Sequence, residues 1–283
     1  MLKQRVITAV LLLAVLIPSL LSASQYPFGV VSLVLIACAA WEWCKLNGFG
    51  AAQALFHGFV CAALCVGAWL GGVLSANLSM VWILAGAFWV LAGAWLLRSG
   101  MAHWQAVPRY LRLIGGQAAL VFAWVALMQL RAVSVYFLLS VLTLVWVADI
   151  SAYFAGRSFG GRVIARKLAP SISPGKTWEG VMGGAAGVML LAFAWVYADA
   201  RLASTSPGIY TAFASHGYIY LMVCALFLTG MSVVGDLVES LFKRSAGVKD
   251  SSGLLPGHGG VLDRIDALLP TLPLAMMLST LGS

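Results

Sequence analysis

Residues 135–154 read VYFLLSVLTLVWVADISAYF, twenty residues with one charged side chain, Asp149, near the far end. A helix of that length rises about 30 Å, which matches the hydrocarbon core of a bilayer. The run is long for a buried strand and lacks the apolar–polar alternation of a barrel strand. It predicts a transmembrane helix. Asp149 adds something, because a carboxylate at the bilayer centre costs roughly 2.5–3.5 kcal/mol on an insertion scale unless it is paired or metal-bound.

Eight further apolar runs flank this one: Val6–Leu21, Phe28–Trp43, Ala51–Leu74, Leu78–Leu97, Leu113–Leu130, Gly180–Ala198, Tyr218–Gly235 and Leu262–Leu281. The chain is 62% hydrophobic and only 9% charged over 283 residues, far from the balance of a soluble globule. The reading is an all-α, polytopic integral membrane protein of about nine transmembrane helices. Its five cysteines lie within or at the ends of spans, and Cys61-x3-Cys65 has no His or carboxylate at metal-site spacing. They read as small buried apolar residues, with no disulfide framework implied.

The formal charge of +8 would suggest nucleic acid in a soluble chain, but its distribution argues for topology instead. Placing nine spans puts fifteen of the 17 Lys and Arg on one side, leaving only Arg131 and Arg201 on the other. The positive-inside rule then sets the amino terminus in the cytoplasm and the carboxyl terminus outside. Residues 1–24 combine a basic head, an apolar run and Ser22-Ala23-Ser24, the pattern of a cleavable secretory signal. An uncleaved first span is the preferred reading, since nothing downstream resembles an exported domain.

Polar residues are unevenly spread. Residues 1–130 form an amino-terminal transmembrane helix bundle, and residues 131–283 a catalytic region with a cytoplasm-facing polar site. In the first region Glu42 stands out between Trp41 and Trp43; pairing with Lys45 at an interface is the expectation. Gly86 and Gly93 suit close helix packing. Seven of the nine acids fall in two windows, Asp149–Glu179 and Asp236–Asp266, both on the cytoplasmic side by charge counting.

In the later window, a helix continuing past Gly235 places Asp236, Ser240, Lys243 and Arg244 on one face, offering a carboxylate to a cation and bases to phosphate. Ser251–Gly260 must be loop, where glycines let backbone N–H groups converge on an anion and His258 can donate to phosphate or orient a carboxylate. Asp263 and Asp266, at i and i+3 near the start of an apolar helix, suit a shared Mg²⁺, with Mn²⁺ the alternative. A helix N-terminus also favours carboxylates, which is the competing explanation. In the earlier window, Gly175-Lys176-Thr177 matches the end of a P-loop, but the required upstream glycine falls at Pro170. What remains is a Ser173/Lys176/Thr177 turn ahead of a helix, able to hold an anion. Between these motifs, Arg162, Arg166 and Lys167 interleave with Val163, Ile164 and Leu168, a pattern that fits an anionic lipid surface or ordinary positive-inside charge.

The ordered pattern Ser240-x2-Lys243-Arg244-x4-Lys249-Asp250-x5-Pro256-x-His258-Gly259-Gly260-x2-Asp263-Arg264-x-Asp266 resembles the phosphatidate cytidylyltransferase (CDP-diacylglycerol synthase) family. Asp149-x3-Tyr153 and Ser173-Pro-Gly-Lys176-Thr177-x-Glu179-Gly180 resemble its upstream motifs. The resemblance implies a homodimeric enzyme of the bacterial inner membrane with its site facing the cytoplasm, joining CTP and phosphatidate with Mg²⁺ to give CDP-diacylglycerol and pyrophosphate. A second, monovalent cation such as K⁺ is compatible with that family. It further implies catalytic roles for Asp263, Asp266, Lys243, Arg244, Lys249, Asp250 and His258. Ser173, Lys176, Thr177, Ser240, Arg264, Gly259 and Gly260 would bind substrate, and Asp263, Asp266, Asp236 and Asp149 would hold the metal.

Two other classes compete. An ion-coupled secondary transporter also uses intramembrane acids, but it predicts a midplane site and repeated halves, and no repeat stands out. The CDP-alcohol phosphotransferases use a D-G-x2-A-R spacing that is absent.

Overall fold

The computed structural model describes residues 2–202 and 206–281. Its helices are α1 (Leu2–Leu21), α2 (Tyr26–Leu46), α3 (Ala51–Leu70), α4 (Ser79–Ala106, broken at Gly100, whose φ is 74°), α5 (Arg109–Val133), α6 (Val135–Phe159), α7 (Trp178–Leu202), α8 (Ile209–Ala214), α9 (Tyr218–Ser245), α10 (Leu262–Ile265) and α11 (Leu268–Leu281). No strand occurs among the described residues. The chain is a polytopic membrane protein, and eight of its helices, α1–α7 and α9, are long and apolar enough to cross a bilayer.

The expected ninth span, Leu262–Leu281, is not one helix. It begins as the single turn α10, and only the 14 residues of α11 follow, with Pro273 inside. Fourteen residues rise about 21 Å, short of the roughly 30 Å hydrocarbon core. Proline at 270 and 273 removes two helical N–H donors, and three charged side chains crowd residues 263–266.

The helices form two compact units from interleaved segments. One comprises Met1–Asn77, Arg98–Val135 and Phe242–Asp266. Within it, α2 is anchored by Trp43, whose indole N–H donates to the carbonyls of Arg112 and Leu113, both at 3.2 Å. Gly116 makes room, since a Cβ there would overlap the Trp43 ring. Trp124 donates to Ser32 Oγ at 3.1 Å, and Arg131 to the Ser22 carbonyl at 2.6 Å. The first helix is integral to this unit: Thr8 Oγ1 donates to the Pro256 carbonyl at 2.9 Å, and the Arg5 backbone packs against Gly257.

The other unit comprises Leu78–Leu97, Tyr136–Leu241 and Ala267–Ser283. Its α6–α7 contact runs along Gly180, Gly184 and Gly187, one face of α7 at helical spacing. A Cβ on Gly184 would sit 3.0 Å from the Ala148 carbonyl oxygen, and one on Gly180 3.1 Å from that of Ala152. Where lipid is as apolar as the side chains, such close backbone approach is what holds helices together. Gly184→Val should force α6 and α7 apart at a cost of about 1–3 kcal/mol, seen as a lower Tm in detergent. Gly86 faces Leu274 and Met277, and Gly93 faces Val234, so both serve packing as their spacing suggested. At the other end of this contact Asp199 accepts hydrogen bonds from Tyr136 (2.6 Å), the Gly208 N–H (3.0 Å) and Thr211 (2.5 Å), fixing α8.

Candidate active site

The second unit lines an open-sided cavity of about 430 Å³, within the range of small-molecule sites. Its wall takes Asp149, Tyr153 and Arg157 from α6, Gly175, Lys176 and Thr177 from the following loop, Gly180 from α7, and Thr229 and Asp236 from α9. The glycine-lined α6–α7 contact therefore sets the distance between Asp149 and the Lys176 turn. Lys176 Nζ pairs with Asp236 Oδ2 at 2.5 Å, with both side chains a quarter to a third exposed. Ser240 Oγ lies 3.4 Å from Asp236 Oδ1 on the same helix face. Arg157, one of the fifteen bases counted to the cytoplasmic side, donates to the Tyr153 hydroxyl at 2.9 Å and lines the cavity as a second cation.

The loop between α6 and α7 is built locally. Thr177 Oγ1 accepts the Gly180 N–H at 3.1 Å, an N-cap that begins α7. The Lys176 N–H donates to the Ser173 carbonyl at 3.1 Å, and the Ser173 N–H to that of Ala169 at 2.8 Å. Ser173 thus shapes the turn and is not among the cavity-lining residues. Glu179 Oε1 accepts three backbone N–H groups, from Gly161, Val163 and Ile164, at 2.8–3.1 Å. One carboxylate orders the basic stretch that carries Arg162.

The part of the later window from Lys243 to Asp266 lies in the first unit and assembles around Asp263. Lys243 Nζ donates to Asp263 Oδ1 at 2.6 Å. The Gly260 N–H (2.7 Å), the Ser251 N–H (2.9 Å) and the Ser251 hydroxyl (2.9 Å) reach Oδ2. Asp263 precedes α11 and lies outside the eight spans. Burial pushes its carboxyl up, but the Lys243 hydrogen bond, the two backbone donors and the Lys243 charge outweigh that and hold it at about 2. Arg264 donates to the His258 carbonyl at 2.7 Å, and Gly257 and Gly259 take positive φ values of 79° and 84° that let the loop double back. His258 Nδ1 is buried without a hydrogen-bond partner. Asp266 follows directly after α10. Arg244 donates to the Val248 carbonyl at 3.2 Å, and Lys249 and Asp250 are exposed.

Glu42 overturns its sequence reading. It is fully buried and meets the Ser251–Leu262 loop, while Lys45 lies over the Trp41 ring at 4.5 Å. Nothing local in Trp41-Glu42-Trp43 announces this, because all four donors come from more than 200 positions away.

A divalent cation can be weighed against these donors. Among the described residues no group of three or more His, Cys, Asp and Glu is arranged to hold a metal. The cavity does offer two carboxylates, Asp149 and Asp236, with oxygen-only chemistry. That fits Mg²⁺, which usually takes one or two carboxylates and completes its shell with water and substrate phosphates. To ligate, Asp236 would have to release Lys176, and Asp263, which also accepts the Ser251 and Gly260 N–H groups, would have to give up Lys243.

The sequence pattern of the cytidylyltransferase family matches residues 3–281 of this chain. This chain belongs to that family. Among its relatives, the phosphatidate cytidylyltransferase of Haemophilus influenzae is 35% identical over 96% of both chains. That of Pseudomonas aeruginosa is 36% identical over 96% of this chain and 95% of its own. The Bacillus subtilis phosphatidate cytidylyltransferase is 43% identical over 49% of this chain and 45% of its own. Full-length similarity at this level extends the relation well beyond the 27-residue motif, through the helices whose sequence shows only apolarity.

Proposed function

We propose that this protein transfers CMP from CTP to phosphatidate, giving CDP-diacylglycerol and pyrophosphate for phospholipid synthesis. The observation that carries this reading is the cavity in which Lys176, Arg157, Asp149 and Asp236 face one another beside the amino-terminal turn of α7. Two bases and a helix N-terminus suit phosphate oxygens, and the full-length relatives are named for this reaction.

A phosphatidate phosphate oxygen attacks the α-phosphorus of CTP. The bond to the bridging oxygen of the β-phosphate breaks, and pyrophosphate leaves with that electron pair. The nucleophile is already an oxyanion, so no serine or cysteine is required; alignment and charge neutralisation do the catalysis. Lys176 and Arg157 hold phosphate oxygens, and the Thr177 cap on the Gly180 N–H fixes the start of α7 beside them. When bound, Mg²⁺ supplies charge neutralisation at the triphosphate, and Asp149 and Asp236 would hold it; Mn²⁺ could replace it. Lys243, Arg244, Lys249 and Asp250, with the Asp263–Asp266 turn and His258, provide the second set of charged groups that the family motif assigns to this reaction. A monovalent cation such as K⁺, a homodimer, and an inner-membrane location with the site open to the cytoplasm complete the reading.

Purified protein in phosphatidate micelles, given α-labelled CTP, should place label in organic-extractable lipid only when both phosphatidate and Mg²⁺ are present. Absence of labelled lipid from folded protein across several detergents would sink the reading.

A further inference from the structure

Glu42 is a charged residue that no assigned role uses, yet it is among the most completely hydrogen-bonded side chains in its unit. Oε1 accepts the Ser252 hydroxyl at 2.5 Å and the Val261 N–H at 2.9 Å. Oε2 accepts the Leu262 N–H at 2.7 Å and the Ser251 hydroxyl at 3.0 Å. A carboxylate has about four acceptor positions; here two backbone N–H groups and the Ser252 hydroxyl occupy three, and the fourth shares the single Ser251 hydroxyl proton with Asp263 Oδ2. The donors come from the two ends of one loop, residues 251–252 and 261–262. The same carboxylate therefore closes that loop at its base.

Three further observations give the contact a purpose. Gly260 has no Cβ, and one would overlap both Glu42 Oε1 and Ser251 Oγ, so this glycine admits the carboxylate. Ser251 Oγ lies between Glu42 Oε2 and Asp263 Oδ2, at 3.0 and 2.9 Å, and ties the two carboxylates together. Glu42 itself rides on a fixed part of α2, where Ala39, Ala40 and Cys44 are fully buried and Trp43 is bonded to the Arg112 and Leu113 carbonyls. A group that must be held within about half an ångström needs such backing.

We propose that Glu42 is a positioning residue: a clasp that fixes both ends of the Ser251–Leu262 loop and so sets where Asp263 and Lys243 stand. The effect on turnover rests on the reading in which these two residues serve the transfer reaction. Glutamine cannot replace it, because its NH2 group would face a hydroxyl or N–H donor on one side. Aspartate keeps the charge but withdraws it by one methylene.

The test uses the full-length protein in phosphatidate micelles, with kcat, KM for CTP, and amide exchange across residues 251–262 as readouts. Glu42→Gln should lower kcat by about 30–100-fold, the scale of a 1 Å misplacement, with KM changed less than about threefold. The Val261 and Leu262 amides should exchange at least about tenfold faster, while the α6 and α7 amides keep their protection. Glu42→Asp should recover part of both losses. A folded Glu42→Gln with kcat within about threefold of wild type, or with unchanged exchange at 261–262, overturns the clasp. If Glu42→Gln does not fold, Ser252→Ala decides. It removes one donor from outside the carboxylate, and faster exchange at 261–262 supports the proposal whereas unchanged exchange overturns it. Inactive wild type would instead defeat the reaction, leaving exchange to decide on the clasp.

Discussion

Asp236→Asn should lower kcat/KM for CTP by about 10²–10³-fold, the usual cost of removing one preorganised charged group from a site that stabilises developing charge. Two losses combine. The cavity keeps only Asp149 as a carboxylate, and Lys176 loses the oxygen that holds its ammonium at 2.5 Å. Asparagine has the same shape, so packing is preserved and Tm should move little. Because Lys176 and Asp236 are a quarter to a third exposed, water replaces part of the lost interaction, and the damage falls on function more than on stability. Steady-state kinetics at saturating phosphatidate, repeated across a Mg²⁺ titration, should also show a raised Mg²⁺ requirement. Retention of more than a tenth of wild-type activity would mean that CTP is handled elsewhere.

How far the sequence carried the reading depends on the range over which each signal acts. Apolar runs are local, so eight spans were legible, although helix ends extended past the apolar cores wherever charged residues continued the turn, as in α6 through Arg157 to Phe159. The continuation of α9 past Gly235 to Ser245 was also legible, because Asp236, Ser240, Lys243 and Arg244 fall on one helical face. The last segment was misjudged because hydropathy counts carbon and ignores the N–H groups that Pro270 and Pro273 lack. Within the earlier window, the Lys176 turn and Asp149 were expected at one site and do line one cavity, but Ser173 proved to shape the turn. Glu42 was not legible. Its partners are distant in sequence, and an isolated acid between two tryptophans carries no pattern that distinguishes an interfacial charge from a buried clasp.

A second large effect is expected at the Lys243–Asp263 pair. The Asp263 side chain is 5% exposed and that of Lys243 13%, so neither can turn to water when its partner is removed. Lys243→Ala would strand a carboxylate held by two backbone N–H groups and one hydroxyl, and breaking such a buried pair costs about 3–5 kcal/mol. The surviving donors place this case at the lower end. Asp263→Asn should be comparably costly, since its NH2 group must face either the Lys243 ammonium or the Ser251 and Gly260 N–H groups. The double variant should then be less damaged than the sum of the two by about 1–3 kcal/mol, because the second change removes the group that the first left stranded. Denaturant unfolding in mixed micelles measures this, and additivity within about 0.5 kcal/mol would mean the pair is not coupled. Activity should follow the same rule: each single variant about 10²-fold down, and the double no worse than the poorer single, as expected of two side chains that act as one unit.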